Sequence, residues 1–119
     1  MELDEIKKHI THLSEEIRLN AVHEQHVIVG GKIVDIIPPF TKENSIYILT
    51  IDDVIGTMNV LVSDTFMTEF NDRIELDKYV FFEGFANVVS RFIKKEIKKD
   101  VSVFAYSLKD ITKDEKVPQ

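Results

Sequence analysis

Ile51-Asp52-Asp53-Val54-Ile55-Gly56-Thr57-Met58-Asn59-Val60-Leu61-Val62 reads as the end of one strand, a tight Asp-x-x-Gly turn and the whole of the next strand. Aspartate suits such a turn because its carboxylate bonds backbone N–H groups just ahead of it, and glycine tolerates the dihedrals that close it. Working outward, residues 46–52 and 57–62 are apolar strands on either side of the turn. Upstream, 27–37 is a long first strand interrupted by Gly30-Gly31 and ended by Pro38-Pro39, which cannot supply ladder donors. A glycine pair inside a strand marks a bulge or bend, which a strand curling through both halves of a barrel needs. Downstream, Ser63 caps a short helix reaching residue 70, with Phe66 and Phe70 one turn apart on its inner face. Strand four covers 79–89, with Gly84 in its interior, and strand five covers 101–111. Strand, strand, strand, short helix, strand, strand is how a small closed barrel is written.

Ahead of the barrel, Leu3, Ile6, Ile10, Leu13 and Ile17 place an apolar stripe along a helix over 2–20, with Glu2, Asp4 and Glu5 at the positive end of its dipole. Two heptads are short for an independent coiled coil, so docking on the helix's own domain is expected ahead of a seam between subunits. The organisation expected is therefore an amphipathic helix in 1–25 for docking or oligomerisation, one barrel in 26–111 and a polar tail in 112–119.

At 119 residues the chain has room for one core. Apolar residues make up 44% and charged residues 30%, the proportions of a soluble globular domain. No apolar run approaches a membrane span and the N-terminus is acidic, so no membrane partner and a cytoplasmic location are expected. The absence of cysteine removes disulfides, thiolate chemistry and cysteine-type zinc sites. The net charge of −6 argues against a polyanion as partner until its distribution is considered. Residues 1–25 hold six acids and three bases, whereas 90–99 hold Arg91, Lys94, Lys95, Lys98 and Lys99 against Glu96 alone. A polyanion responds to the local field within a Debye length of ~8–10 Å rather than to the sum.

Three segments carry a resemblance. Gly31-Lys32-Ile33-Val34-Asp35-Ile36 looks like the Gly-x-hydrophobic-x-x-hydrophobic first strand of the anticodon-type OB family. Asp53-Val54-Ile55-Gly56-Thr57-Met58-Asn59-Val60 resembles that family's Asp-x-x-Gly-x-hydrophobic-x-Val turn, and Val80-Phe81-Phe82-Glu83-Gly84 is similar to its glycine-marked fourth strand. The resemblance spans residues 27–111. It implies an all-β, five-stranded Greek-key OB barrel with accessory helices. Relatives of this kind include domains of tRNA synthetases and of bacterial replicative polymerases, and stand-alone single-stranded-DNA-binding proteins. For a chain of this size it best implies the last, of a phage or mobile-element type. The tail at 112–119 departs from that pattern, because it lacks a long flexible segment with an acidic tip.

OB-folds bind oligonucleotides across strands two and three, between the first-to-second and fourth-to-fifth strand loops. Cations that follow the phosphates and rings on which bases stack are what such binding needs. The expected nucleic-acid residues are Phe40 and Lys42 in the first loop and Arg91, Phe92, Lys94, Lys95, Lys98 and Lys99 in the second, with Lys32 beside the bend. Phe40 could equally plug one barrel end, and Phe92 fold back on strand four under lysines that only blunt an edge. In strand two, Tyr47, Leu49 and Ile51 share one side. If that side is core, Ile48 takes the stacking position; a one-residue slip puts Tyr47 on the binding face instead.

If Val80, Phe82 and Ala86 point inward, Phe81, Phe85, Phe104 and Tyr106 point outward. Four outward rings are a large patch for a monomer, so either the N-terminal helix or a second subunit covers them. The pairs His9/His12 and His23/His26 could share a metal, but His-Glu-x-x-His is absent and none is expected. No nucleophile elbow, phosphate loop or dinucleotide fingerprint occurs, and Asp52-Asp53 reads as a turn pair, so neither enzyme activity nor a cofactor is expected. The reading is a homo-oligomeric protein that coats single-stranded DNA in replication, recombination or repair. Its rivals are a protein-docking accessory subunit beside replication or recombination proteins, and an RNA- or tRNA-binding module.

Overall fold

The computed structural model describes residues 1–41 and 43–110. Among these residues are five strands, β1 (His26–Ile37), β2 (Ile46–Asp52), β3 (Thr57–Ser63), β4 (Tyr79–Ile93) and β5 (Glu96–Leu108), and three helices, α1 (Leu3–Lys7) and α2 (Ser14–Asn20) ahead of β1 and α3 (Asp64–Glu69) between β3 and β4. Pairing runs β1–β2–β3–β5–β4 and returns from β4 to β1. Four of these contacts are antiparallel ladders; β3 and β5 run parallel and meet only at Val60↔Val103 and Leu61↔Phe104. The all-β Greek-key barrel expected from the sequence is corrected here. The sheet is mixed and mostly antiparallel, its fifth seam is a two-residue contact rather than a continuous ladder, and helices flank it.

β1 serves two ladders. His26 to Lys32 pair with β4, and Lys32 to Ile37 pair with β2. Its irregularity lies between Ile33 and Asp35, where Val34 is the extra residue, and not at the glycine pair. The glycines make room instead. A Cβ on Gly30 would stand 2.2 Å from the Phe81 ring, and one on Gly31 would stand 2.4 Å from the Asp52 carbonyl oxygen. The strand can therefore pass between β4 and β2 at close range.

Inward alternation fills the centre with Val27, Val29, Ile33, Leu49, Ile51, Val60, Val62, Phe82 and Val103, all fully buried. Ser63 caps α3 as its sequence suggests, its Oγ accepting from the Phe66 N–H at 3.0 Å, and Phe66 packs on Phe70 and Phe82.

The single helix expected over 2–20 is two short helices with a break at 8–13. Strand edges explain the break. The Thr11 N–H donates to the Ile28 carbonyl at 2.8 Å, and Thr11 Oγ1 accepts from the Ile28 N–H at 2.8 Å. The segment thus satisfies a β1 backbone that has a neighbour on only one side, which a continuous helix could not do. Ile6, Leu13 and Ile17 of the apolar stripe are buried.

Asp53 holds α2 in place. It is 1% exposed, and its carboxylate accepts from the Ser14 N–H (2.6 Å), the Ser14 hydroxyl (3.0 Å) and the Gly56 N–H (3.0 Å). Ser14 is the first residue of α2, so the β2–β3 turn supplies both the cap and the negative charge that this helix end favours.

Beyond Val88↔Val101, β4 and β5 leave the body and pair only with each other, ending at Ile93↔Glu96. Lys94 and Lys95 close this arm in a two-residue turn with φ of 51° and 65°, the primed geometry that matches strand twist. The segment expected as a basic loop is therefore a β-ribbon.

Candidate nucleic-acid interface

Where β3 and β5 stop pairing, a groove of about 430 Å³ opens between them. Thr57, Asn59 and Leu61 on the outer side of β3 form one wall; Val101, Ser102 and the base of the arm form the other. Three cations from three elements converge on it: Arg18 from α2, Arg91 from β4 and Lys99 from β5. Arg91 is ion-paired across the ribbon with Asp100, whose carboxylate also lines the groove. Lys99 Nζ donates to the Ala21 carbonyl at 3.3 Å, just past the end of α2. Among the described residues Arg18 has no ion-pair partner.

The floor beside the groove is the outer face of β2 and β3. Register pairs Ile48 with Leu61 and Thr50 with Asn59, and Thr50 Oγ1 donates to Asn59 Oδ1 at 3.1 Å. Tyr47 is on the other side, packed against the core with Leu49 and Ile51. Of the two registers open in the sequence, the one leaving Ile48 outward is present, and Tyr47 is withdrawn from the candidate face.

The remaining expected residues are dispersed. Phe40 is 84% exposed, in the connection from β1 to β2. That connection adjoins the Ile46↔Ser63 end of the β2–β3 ladder, whereas the groove adjoins the Thr57 end. Lys42 lies outside the described residues. Lys32 sits where β1 passes from β4 to β2 and does not line the groove. Phe92, Lys94, Lys95 and Lys98 are on the outer part of the arm, beyond the groove and exposed. The structure thus brings Arg91 and Lys99 together and adds Arg18. No sequence signal marks Arg18, because it is one base on the polar side of a short helix and only the packing of α2 beside β5 aims it at the groove.

The outer rings of β4 and β5 divide in two. Phe81 is 2% exposed, covered near the end of α1 where His9 meets it edge-on with ring centres 5.4 Å apart. Phe85, Phe104 and Tyr106 stay 43–49% exposed. The N-terminal segment therefore covers one of the four rings. Phe85 and Tyr106 are 5.2 Å apart, and the His26 ring completes the group at 6.3 and 6.4 Å. His26 Nε2 bonds the Glu83 carboxylate at 2.6 Å. This bond leads in holding the Glu83 carboxyl below the ordinary carboxylate range, against an opposing contribution from partial burial, and the Tyr106 hydroxyl adds to it. The Tyr106 phenol is pushed up, first by lost hydration and then by the neighbouring Glu83.

The histidines have local tasks. His12 Nδ1 is 2.8 Å from Thr11 Oγ1, and His23 Nδ1 accepts from the Val88 N–H at 3.1 Å. Among the described residues no three His, Asp or Glu side chains are grouped so as to hold a metal, and no helix is long and apolar enough to cross a membrane.

No family model and no curated protein matches this chain. Solved structures do match. An OBody bound to hen egg-white lysozyme gives a TM-score of 0.60 at 17% identity, covering 83% of this chain and 90% of that one. Asparaginyl-tRNA synthetase from Pyrococcus horikoshii, complexed with asparaginyl-adenylate, gives 0.61 at 14% identity, covering 84% of this chain but only 22% of the synthetase. The small single-stranded DNA-binding protein from Streptomyces coelicolor gives 0.53 at 10% identity, covering 77% of this chain and 99% of that one. At such identities the likeness is one of fold. The chain is an OB-fold-like domain.

Proposed function

We propose that this domain binds single-stranded DNA with little base preference, the phosphates following the groove at the base of the arm. The observation that carries the reading is the convergence of Arg18, Arg91 and Lys99 on one concave site of a chain whose net charge is −6. Cations gathered this way in an acidic molecule are more than solubility requires. The adjoining β2–β3 face, with Ile48 and Leu61 paired on it, offers an apolar surface against which bases can lie. The fold's likeness to a small single-stranded DNA-binding protein, at 10% identity, is in keeping with this reading.

Titration of labelled oligo-dT, duplex DNA and oligo-U of equal length, each at two salt concentrations, tests the reading. Single-stranded DNA is expected to bind tightest. With two phosphates neutralised, or three if Arg91 exchanges Asp100 for a phosphate, log Kd against log salt should have a slope of about 1.4–2 on single strands. Arg18→Ala, Arg91→Ala and Lys99→Ala together should flatten that slope while leaving the circular dichroism unchanged. Salt-independent binding, or an unchanged slope in the triple variant, refutes the assignment. Preference for oligo-U would move the ligand to RNA, where the 2′-hydroxyl is read.

A second reading, a protein-docking module, is favoured by the exposed Phe85, Phe104 and Tyr106 rings and by the fold's likeness to an OBody bound to lysozyme.

A further inference from the structure

Two surfaces take no part in the groove, and they are complementary. One is the tip of the arm. Phe92 and Ile97 stand directly opposite each other on its two strands, 73% and 76% exposed, with Ile93 beside them and Lys94, Lys95 and Lys98 around them. The other is the outer face at the base of β4 and β5. There Phe85 and Phe104 edge a cavity of about 400 Å³ whose rim carries Glu24, 3.5 Å from the His23 ring, and the Glu83 carboxylate, bonded to His26, lies outside that lining beside Tyr106.

We propose that the arm tip of one copy docks in the aromatic cavity of the next, so that the chain associates head to tail. Charge selects this occupant. Residues 92–98, the tip itself, hold Lys94, Lys95 and Lys98 against Glu96, a net of +2, which leaves −8 on the rest of a chain whose total is −6. An apolar tip ringed by ammonium groups fits a site of rings and carboxylates, where hydrophobic burial and cation–π attraction act together. The cavity has the size of an ordinary small-ligand pocket, suited to one ring side chain. The tip cannot fold back to fill its own molecule's site. From Phe85↔Phe104 to Ile93↔Glu96 the ladder advances eight residues, roughly 26 Å at the rise of a strand, and its paired backbone holds it extended. Only a second molecule can bring the two surfaces together. An interface joining two different patches does not close on itself unless the rotation allows, so it builds open chains. This inference is independent of the polynucleotide reading, because the groove and the two docking surfaces use different residues.

Sedimentation velocity on the full chain without nucleic acid tests it, up to on the order of 100 μM because so small an interface binds weakly. The wild type should show a weight-average mass that rises past the dimer with concentration. Phe85→Ser and the double variant Lys94→Glu/Lys95→Glu should each stay monomeric with native circular dichroism; Glu24→Lys, in an exposed loop, replaces Phe85→Ser if the latter unfolds. Mixing the cavity variant with the arm variant leaves one sound interface per pair, so a 1:1 complex that grows no further is expected. A monomeric wild type overturns the proposal. So does an arm variant that dimerises like the wild type while the cavity variant does not, which would mean a symmetric contact of the aromatic face. Failure of the mixed variants to form a complex overturns it equally.

Discussion

Asp53 shows how one side chain connects a turn to a helix it does not belong to. Its carboxylate receives three hydrogen bonds, two from Ser14 and one from Gly56, in a site with almost no access to water. Asp53→Ala would leave buried donors on both sides without an acceptor. Hydrogen bonds to a charged group are worth ~1.5–3 kcal/mol each and are not additive within one network, so a loss of about 3–4 kcal/mol is expected in urea unfolding. Asp53→Asn keeps one acceptor oxygen and should lose less; Ser14→Ala removes the hydroxyl contact alone and should cost about 1.5–2 kcal/mol. An Asp53→Ala variant as stable as the wild type would show that the turn holds α2 by shape alone. Aspartate in this motif is readable from sequence as a residue that satisfies nearby backbone. That it also caps a helix 39 positions away is not, because nothing local to either segment records the contact.

At the scale of elements, what the sequence revealed follows from how each strand is buried. β2 spans the residues its alternation marks, and the inward set Leu49 and Ile51 is fully buried, because one face of that strand meets the core. The outer half of the β4–β5 arm has no core on either face. It therefore carries no period-two pattern, and its turn lacks the Asn-Gly signature of primed turns, so it reads as a loop. The N-terminal stripe is periodic over its whole length, yet the backbone of β1 takes residue 11 as a partner and the helix divides. The same long strands carry the Glu83 cluster, where His26 of β1, Glu83 of β4 and Tyr106 of β5 are linked. A carboxyl held below its ordinary value in the folded state adds stability above its unfolded pKa, and that stability is lost as pH falls through the lower, folded value. Acid unfolding midpoints measured from pH 5 down to pH 2 should thus fall more steeply in the wild type than in Glu83→Gln. Parallel profiles would mean that the cluster is as well satisfied when neutral.

The described residues span 58 × 33 × 22 Å, with an arm whose charge is opposite to that of the body carrying it. The sequence shows that segregation plainly, as five bases in a run of ten residues; it does not show that only two of them, Arg91 and Lys99, stand at the groove. Where charges sit along a ribbon depends on where the ribbon leaves the body, and this is fixed by the point at which β3 and β5 part. Asp100 then becomes the informative residue. It neutralises Arg91 inside the groove and adds a negative charge where phosphate would lie. Exposed ion pairs contribute only ~0.2–1 kcal/mol, so Asp100→Asn should cost the fold little. Freed of that partner, Arg91 and its neighbours meet an incoming strand with one more unit of positive charge. Affinity for oligo-dT should rise about two- to fivefold at low ionic strength, the same energy expressed in binding, and the gain should shrink as added salt shortens the screening length. The paired substitution Asp100→Asn with Arg91→Ala should return affinity to that of Arg91→Ala alone if the carboxylate acts through the arginine. A gain that survives in the double variant would mean that Asp100 repels the phosphates directly. No gain in either background would place the polynucleotide elsewhere on the molecule.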